Sequence, residues 1–275
     1  MQSISQSNPD HYAWVLVAKG IGILFVVIEH FYPEGSPAYW VGLRNSIYTF
    51  HMPLFFILSG YLYTRNKYSY RELLKNKVRR LLYPFISIAG SFFLIKYLAG
   101  QLFRLEHGVH WGSLYALFTD PVTSYMPLLW FVHTLFIIFA LYPLANRFLN
   151  NGLLLLILIA VNVLLGDHPF PLDKVLIHLP FFIFGVLLRE NHALSKITIY
   201  FHSYCLPAYL TIFVLGLFAR ELFSDTALFA YPIRFLLRVS GSLFIINLSA
   251  MLTRSQKFSA VLQHIGYYSM SIYLF

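Results

Sequence analysis

The sequence predicts an all-α protein, a polytopic membrane helical bundle of about nine transmembrane segments. Three observations carry that expectation. Of 275 residues, 58% are hydrophobic and 11% are charged, where a soluble domain carries about 25% charged residues. Apolar runs recur at roughly the 20-residue length that a helix needs to cross hydrocarbon, without the short alternation of barrel strands. The formal net charge of +9 gathers largely in one segment between apolar runs. That placement favours a headgroup-facing or anionic-ligand role over nucleic acid. The single cysteine, Cys205, excludes an intramolecular disulfide and a thiolate metal cluster. The chain reads as one integral-membrane domain over residues 1–275.

The opening MQSISQSNPDHYAW lacks the basic region and cleavage site of a signal peptide, so the first apolar run is expected to be retained. That run, about Trp14 to Tyr32, contains Lys19, Glu29 and His30. Lys19 and His30 are eleven positions apart, which returns to within about 20° of one helix face after a rise of about 16 Å. Glu29 adjoins His30 in sequence and is expected to point about 100° away from it. Gly20 and Gly22 favour close approach of another helix.

A polar connection from Pro33 to Asn45 leads to FHMPLFFILSGYLY, Phe50 to Tyr63. His51 is the unusual residue there, because an ionisable side chain in an apolar span marks a functional site by default. Pro53 is expected near the start of this span, where a missing N–H costs least, and Ser59 and Gly60 favour close helix contact.

Next comes TRNKYSYRELLKNKVRRLLYP. Arg65, Lys67, Arg71, Lys75, Lys77, Arg79 and Arg80 stand there against Glu72. Ser69 and Glu72 have capping-box spacing, so a short helix is expected to begin there. The cationic density places the segment on the cytoplasmic side, which puts the N-terminus inside and His30, Glu29 and His51 near the outer end.

The third span, about Leu81 to Ala99, includes Pro84 and Lys96. A loop from Gly100 to Tyr125 holds Arg104, Glu106, His107, His110 and Asp120; His107 and His110 lack a third defined ligand, and no metal is expected. The fourth span, Met126 to Ala145, offers Trp130 as an interfacial anchor and His133 as a deeper member of the outer polar cluster. The fifth, Gly152 to Gly166, precedes the turn DHPFPLDK. The sixth, Val175 to Leu188, carries His178 near its outer end, and the seventh, about Ile197 to Ala219, carries His202 and Cys205. Arg234 and Arg238 enter the eighth at i, i+4, which indicates a counter-anion or polar substrate more than lipid. FSAVLQHIGYYSMSIYLF is read as a ninth segment.

A cationic patch at the inner end and a histidine-carboxylate cluster at the outer end indicate a donor and an acceptor arriving from opposite sides. The patch suits a phosphorylated donor. An outer histidine suits proton abstraction from a hydroxyl, or itself carrying the transferred group.

KGIGILFVVIEH, FHMPLFFILSGYLY, the KVRRLLYP run, LWFVHTLF, HLPFFIFGVLLRE and IGYYSMSIYLF, in that order, resemble the integral-membrane acyltransferase-3 family, especially its fucose 4-O-acetylase branch. The resemblance implies a membrane O-acyltransferase of the cytoplasmic membrane. It would move an acyl group, usually acetyl from cytoplasmic acetyl-CoA, to a hydroxyl of an extracytoplasmic or lipid-linked glycan. The family's basic residue, ten positions, then histidine falls on Lys19 and His30, and its Arg-x-x-Arg element on Lys77 and Arg80. On that basis His30 is the expected general base or acyl carrier, with His51 and Glu29 as further catalytic candidates. Lys19, Lys77, Arg79 and Arg80 are donor-binding candidates, and Trp130, Arg234 and Arg238 acceptor-binding candidates. Membrane lipids are expected partners; nucleic acid is not.

The sequence departs from the family pattern at three places. Lys19 stands where many members have arginine and cannot make a bidentate fork. Leu16 replaces a frequent aspartate, and the chain stops within the final motif, as a truncated homologue would. Two other classes are weighed against the enzyme. A saccharide transporter or flippase calls for paired half-chain repeats with interrupted helices, which the sequence lacks. An inactive homologue would bind coenzyme A without transferring an acyl group.

Overall fold

The computed structural model describes residues 12–65, 67–103, 108–119, 121–165, 173–192, 195–196, 202–222 and 227–274. Among these the elements are helical, with no strand. Four helices are long and apolar enough to cross a membrane: Ala13–His30, Tyr70–Leu102, Pro127–Ala145 and Ala230–Leu252. Asn151–Leu165 and Tyr204–Arg220 are apolar but shorter. The protein is a helical membrane protein.

Helix α1 (Ala13–His30) and α2 (Ala38–Tyr61) sit at the centre. The α2 helix begins well before the apolar stretch, so 38–45 is helix and not the polar connection the sequence indicates. Pro53 therefore lies inside α2 instead of near its start. Lacking an N–H, it leaves the Thr49 carbonyl without its ordinary helical donor.

Helix α3 (Tyr70–Lys77) starts at the expected capping box, with Ser69 accepting from the Glu72 backbone and the Glu72 carboxylate accepting from the Ser69 backbone. A π-helical turn, Val78–Leu82, then joins it to α4 (Tyr83–Leu102). The continuous helix Tyr70–Leu102 has 33 residues and is about 50 Å long, which overshoots a hydrocarbon core of about 30 Å. That excess leaves room for the basic first third to extend beyond the hydrocarbon. Arg79 falls within the π turn, so it leaves the α-helical i, i+4 register of Arg71 and Lys75.

Helix α5 (Trp111–Thr119) lies in the segment expected to be a loop. A 3₁₀ turn (Pro127–Leu129) opens α6 (Trp130–Ala145), and α7 (Asn151–Leu165) and α8 (Asp173–Glu190) follow. Then come α9 (His202–Leu222) and α10 (Ala227–Leu252). The expected ninth span is two helices, α11 (Gln256–Tyr267) and α12 (Ser269–Leu274), separated by a break at Tyr268. Arg104, Glu106, His107, Asp120, most of DHPFPLDK and Asp225 lie outside the described residues.

Two glycine pairs set the tight crossings around α1 and α2. A Cβ at Gly60 would collide with the carbonyl of Phe182, and one at Gly185 with the carbonyl of Ile57, so α2 and α8 meet backbone to backbone. Gly20 and Gly266 do the same for α1 and α11, against the carbonyls of Leu262 and Leu16. Without a hydrophobic drive between helices in lipid, such close approach supplies the packing energy. Helix α10 packs on α1, α2 and α9, and the Ser242 hydroxyl donates to Phe50 O at 3.3 Å across the α2–α10 contact.

Candidate active site

The last turn of α1, the middle of α2, the first turns of α6 and α8, and α10 surround a cavity of about 400 Å³. Its lining includes Glu29, His30, Thr49, His51, Trp130, Lys174, His178, Arg238 and Tyr273. Of the sequence candidates, the structure brings Glu29, His30, His51, Trp130 and Arg238 together here. Lys19, Lys77, Arg79, Arg80 and Arg234 are not on its wall.

Three imidazoles of this cavity share one arrangement. The Nδ1 of His30 lies 2.8 Å from Val26 O, that of His51 3.0 Å from Ile47 O, and that of His178 2.8 Å from Lys174 O. A carbonyl oxygen only accepts, so each Nδ1 carries a proton, and in the neutral ring the lone pair is on Nε2. His51 is 2% exposed. The side chain of His30 is 48% exposed and stands at the open part of the cavity.

His30 has a second partner. Glu29 Oε2 lies 2.9 Å from the same Nδ1, although sequence adjacency pointed the two side chains about 100° apart. The carboxylate bends back because it is buried, 4% exposed, and needs cationic and donor partners there. Arg44 supplies the rest. One of its terminal nitrogens stands 3.4 Å from Glu29 Oε1, its Nε donates to Glu29 O at 2.7 Å, and its guanidinium covers the Tyr32 ring at 4.5 Å. One arginine therefore caps the carbonyl end of α1 and holds the carboxylate that faces His30. Arg44 reads in the sequence as a loop cation, since its place on α2 was hidden by the polar residues before Phe50.

His178 is packed between aromatic rings, 4.6 Å from Phe56 and 5.1 Å from Trp130 between ring centroids. Trp130 thus forms part of the cavity wall. Tyr273 packs on Phe131 with ring centroids 5.4 Å apart and donates to Leu128 O, closing the cavity beside it. The sequence signal for His178 was the HLPFF run, the same polar-in-apolar pattern as His51. His133 does not join the group. It is buried and lies against Phe85, with ring centroids 6.1 Å apart. No three His, Cys, Asp or Glu gather to hold a metal among the described residues, and His110 is exposed beside Ser113.

Part of the basic segment turns inward. Lys77 is half-buried with its ammonium 3.4 Å from the Phe139 ring centroid, and Arg80 and Lys19 of α1 lie within electrostatic reach of it. Arg79 and Arg80 are exposed. At exposed α3, the Ser69 hydroxyl and backbone N–H hold the Glu72 carboxyl below the ordinary carboxylate range.

A family model described as an acyltransferase domain matches residues 12–275. The nodulation protein NolL of Mesorhizobium japonicum is 26% identical over 181 residues, covering 63% of this chain and 46% of the relative. The chain thus spans about half the length of that curated relative. No solved structure matches.

Proposed function

Because this chain belongs to the acyltransferase family whose model covers residues 12–275, we propose that it is a membrane O-acyltransferase. It moves acetyl from cytoplasmic acetyl-CoA to a hydroxyl of an extracytoplasmic or lipid-linked glycan. The observation that carries this reading is the His30 imidazole, whose Nδ1 proton is shared between Val26 O and the Glu29 carboxylate. Its Nε2 is the base. The acceptor oxygen attacks the thioester carbonyl carbon while Nε2 takes the hydroxyl proton. A C–O bond forms, the C–S bond breaks, and the leaving thiolate takes that proton from the imidazolium to give coenzyme A. Glu29 stabilises the imidazolium in between. His51 and His178 supply two further Nε2 acceptors for the acceptor's hydroxyls, and Trp130 provides an apolar wall for a sugar face.

Lys19, Lys77, Arg79 and Arg80 bind the phosphates of the donor at the other end. The rise of about 16 Å from Lys19 to His30 is within reach of a pantetheine arm. In this reading the protein lies in the inner membrane with the basic segment and N-terminus cytoplasmic, following the distribution of Lys and Arg.

The test uses protein in lipid nanodiscs containing membrane glycolipid, with radiolabelled acetyl-CoA added. Wild type transfers label to lipid or glycan. Lys77→Ala/Arg80→Ala raises the donor KM at least about ten-fold, the scale of one or two lost charge-assisted contacts. Donor binding unaffected by both changes would remove the assigned donor end.

A further inference from the structure

One stretch of the cavity wall is not used by the chemistry at His30. Thr49 and Pro53 both line the cavity from α2, and Pro53 lies inside that helix. A helical carbonyl points along the axis toward residue i+4, so Thr49 O lies between these two lining residues. Pro53 offers it no N–H, and the proline ring crowds the oxygen away from the axis.

In a membrane span, a carbonyl freed by proline is ordinarily met by a neighbouring helix, a hydroxyl or water. Two nearby carbonyls have side-chain partners of that kind. Ile47 O lies 3.0 Å from His51 Nδ1, and Phe50 O receives the Ser242 hydroxyl at 3.3 Å. Among the described residues no side chain donates to Thr49 O, and the Thr49 hydroxyl gives its own proton to Asn45 O at 2.9 Å. Thr49 therefore has only accepting oxygens to offer the cavity.

Helix register places this oxygen beside His178. Phe56 is seven residues beyond Thr49 and within about 20° of the same face of α2. Its ring packs on Trp130 and His178, with centroids 6.4 and 4.6 Å apart. His51 leaves α2 about 160° away from Thr49. Thr49 O thus belongs to the side of the cavity formed by α6 and α8, where the Nε2 of a neutral His178 also accepts. An unmet carbonyl beside an accepting imidazole calls for a partner that brings protons.

We infer that Thr49 O, released by Pro53, is a recognition site for a hydroxyl, and that with His178 it holds a polyhydroxylated ring while another hydroxyl of that ring is presented to His30. That this ring is the acylated glycan rests on the acyltransferase reading; hydroxyl binding at Thr49 O does not. The site selects against ligands with a single hydroxyl. It also rejects a carboxylate or phosphate at this point, because the lone pairs of two accepting oxygens repel.

Thr49 and Phe50 form the sole Thr-Phe pair in the sequence. Labelling threonine carbonyls with ¹³C and phenylalanine nitrogens with ¹⁵N therefore isolates the Thr49 carbonyl as one NMR correlation. The experiment follows that resonance in the whole chain in nanodiscs, titrated with methyl glucoside, methyl galactoside or methyl mannoside. A carbonyl carbon moves downfield when a donor reaches its oxygen. The inference predicts a saturable downfield shift with at least one of the three sugars. In Pro53→Ala, where residue 53 regains its N–H, the resonance is already downfield and the same sugar leaves it in place. A wild-type resonance already at the Pro53→Ala position, or unmoved by all three sugars, overturns the site. A second readout is acetyl transfer to membrane glycolipid, in which Pro53→Ala raises the acceptor KM about five-fold, the scale of one lost hydrogen bond. A loss confined to kcat would make Pro53 a residue that shapes α2 around His51 and would overturn the inference. A sugar-dependent shift in a protein that transfers no acetyl upholds the hydroxyl site and brings down the acyltransferase reading.

Discussion

Glu29 Oε2 stands 2.9 Å from Nδ1 of His30, its neighbour in the chain, while Arg44 holds the other carboxylate oxygen at 3.4 Å. The carboxylate fixes which nitrogen of His30 bears the proton and sits ready for the charge that forms when the other nitrogen accepts one.

Glu29→Gln keeps the shape and removes the charge. Its acetyl transfer is expected to fall about 100-fold in kcat, within the range that general acid–base groups contribute, with little change in the acceptor KM. A steady-state comparison checks it. A change confined to KM would make Glu29 a binding residue.

Arg44 acts through Glu29, so it is a positioning residue. Arg44→Gln should lower kcat less than Glu29→Gln, and the double variant should fall well short of the product of the two losses, as for residues acting in one network. Hydrogen exchange should also speed up at the last turn of α1, whose carbonyl Arg44 caps. Multiplicative losses would separate the two side chains.

Gly60→Val should destabilise the bundle by about 2 kcal/mol or more, the ordinary cost of overpacking, because the new Cβ would meet the carbonyl of Phe182. The unfolding midpoint in detergent reports it. Gly90→Val, where nothing lies within contact of an added Cβ, is the control and should leave the midpoint nearly unchanged.

The capping box of α3 gives a pH signature. The Glu72 carboxyl is held below its ordinary value by the Ser69 hydroxyl and backbone N–H. Its folded pKa is depressed, so its contribution is fully present above the unfolded value of about 4.3 and is lost as pH falls through the folded one. Exchange protection of the first turn of α3 should drop in that acidic window, and Ser69→Ala should remove the drop. Protection unchanged across the window would show the box does not hold the helix.

Much of this was legible from apolar run length and isolated polar residues. His30 and His51 stood out because hydrocarbon makes an ionisable group costly, and the structure places both on one cavity. The Ser69–Glu72 spacing located the start of α3, since a capping box is a local motif. What failed was long-range or depended on helix register. Arg44 looked like a loop cation because α2 begins among polar residues, and Pro53 was misplaced for the same reason. The Glu29 side chain follows its burial and its partners, not the mean direction that helix geometry assigns it. His178 needed the fold, because only the meeting of α2, α6 and α8 puts Phe56 and Trp130 on either side of it.

The central claim is that His30 Nε2 takes the acceptor proton. The most direct measurement is single-turnover acetyl transfer by His30→Ala and His30→Gln in nanodiscs saturated with acetyl-CoA, with donor binding measured on the same samples. The account predicts loss of at least about 100-fold in the transfer rate for both variants, with coenzyme A bound as in wild type. Transfer at the wild-type rate in either variant would contradict it.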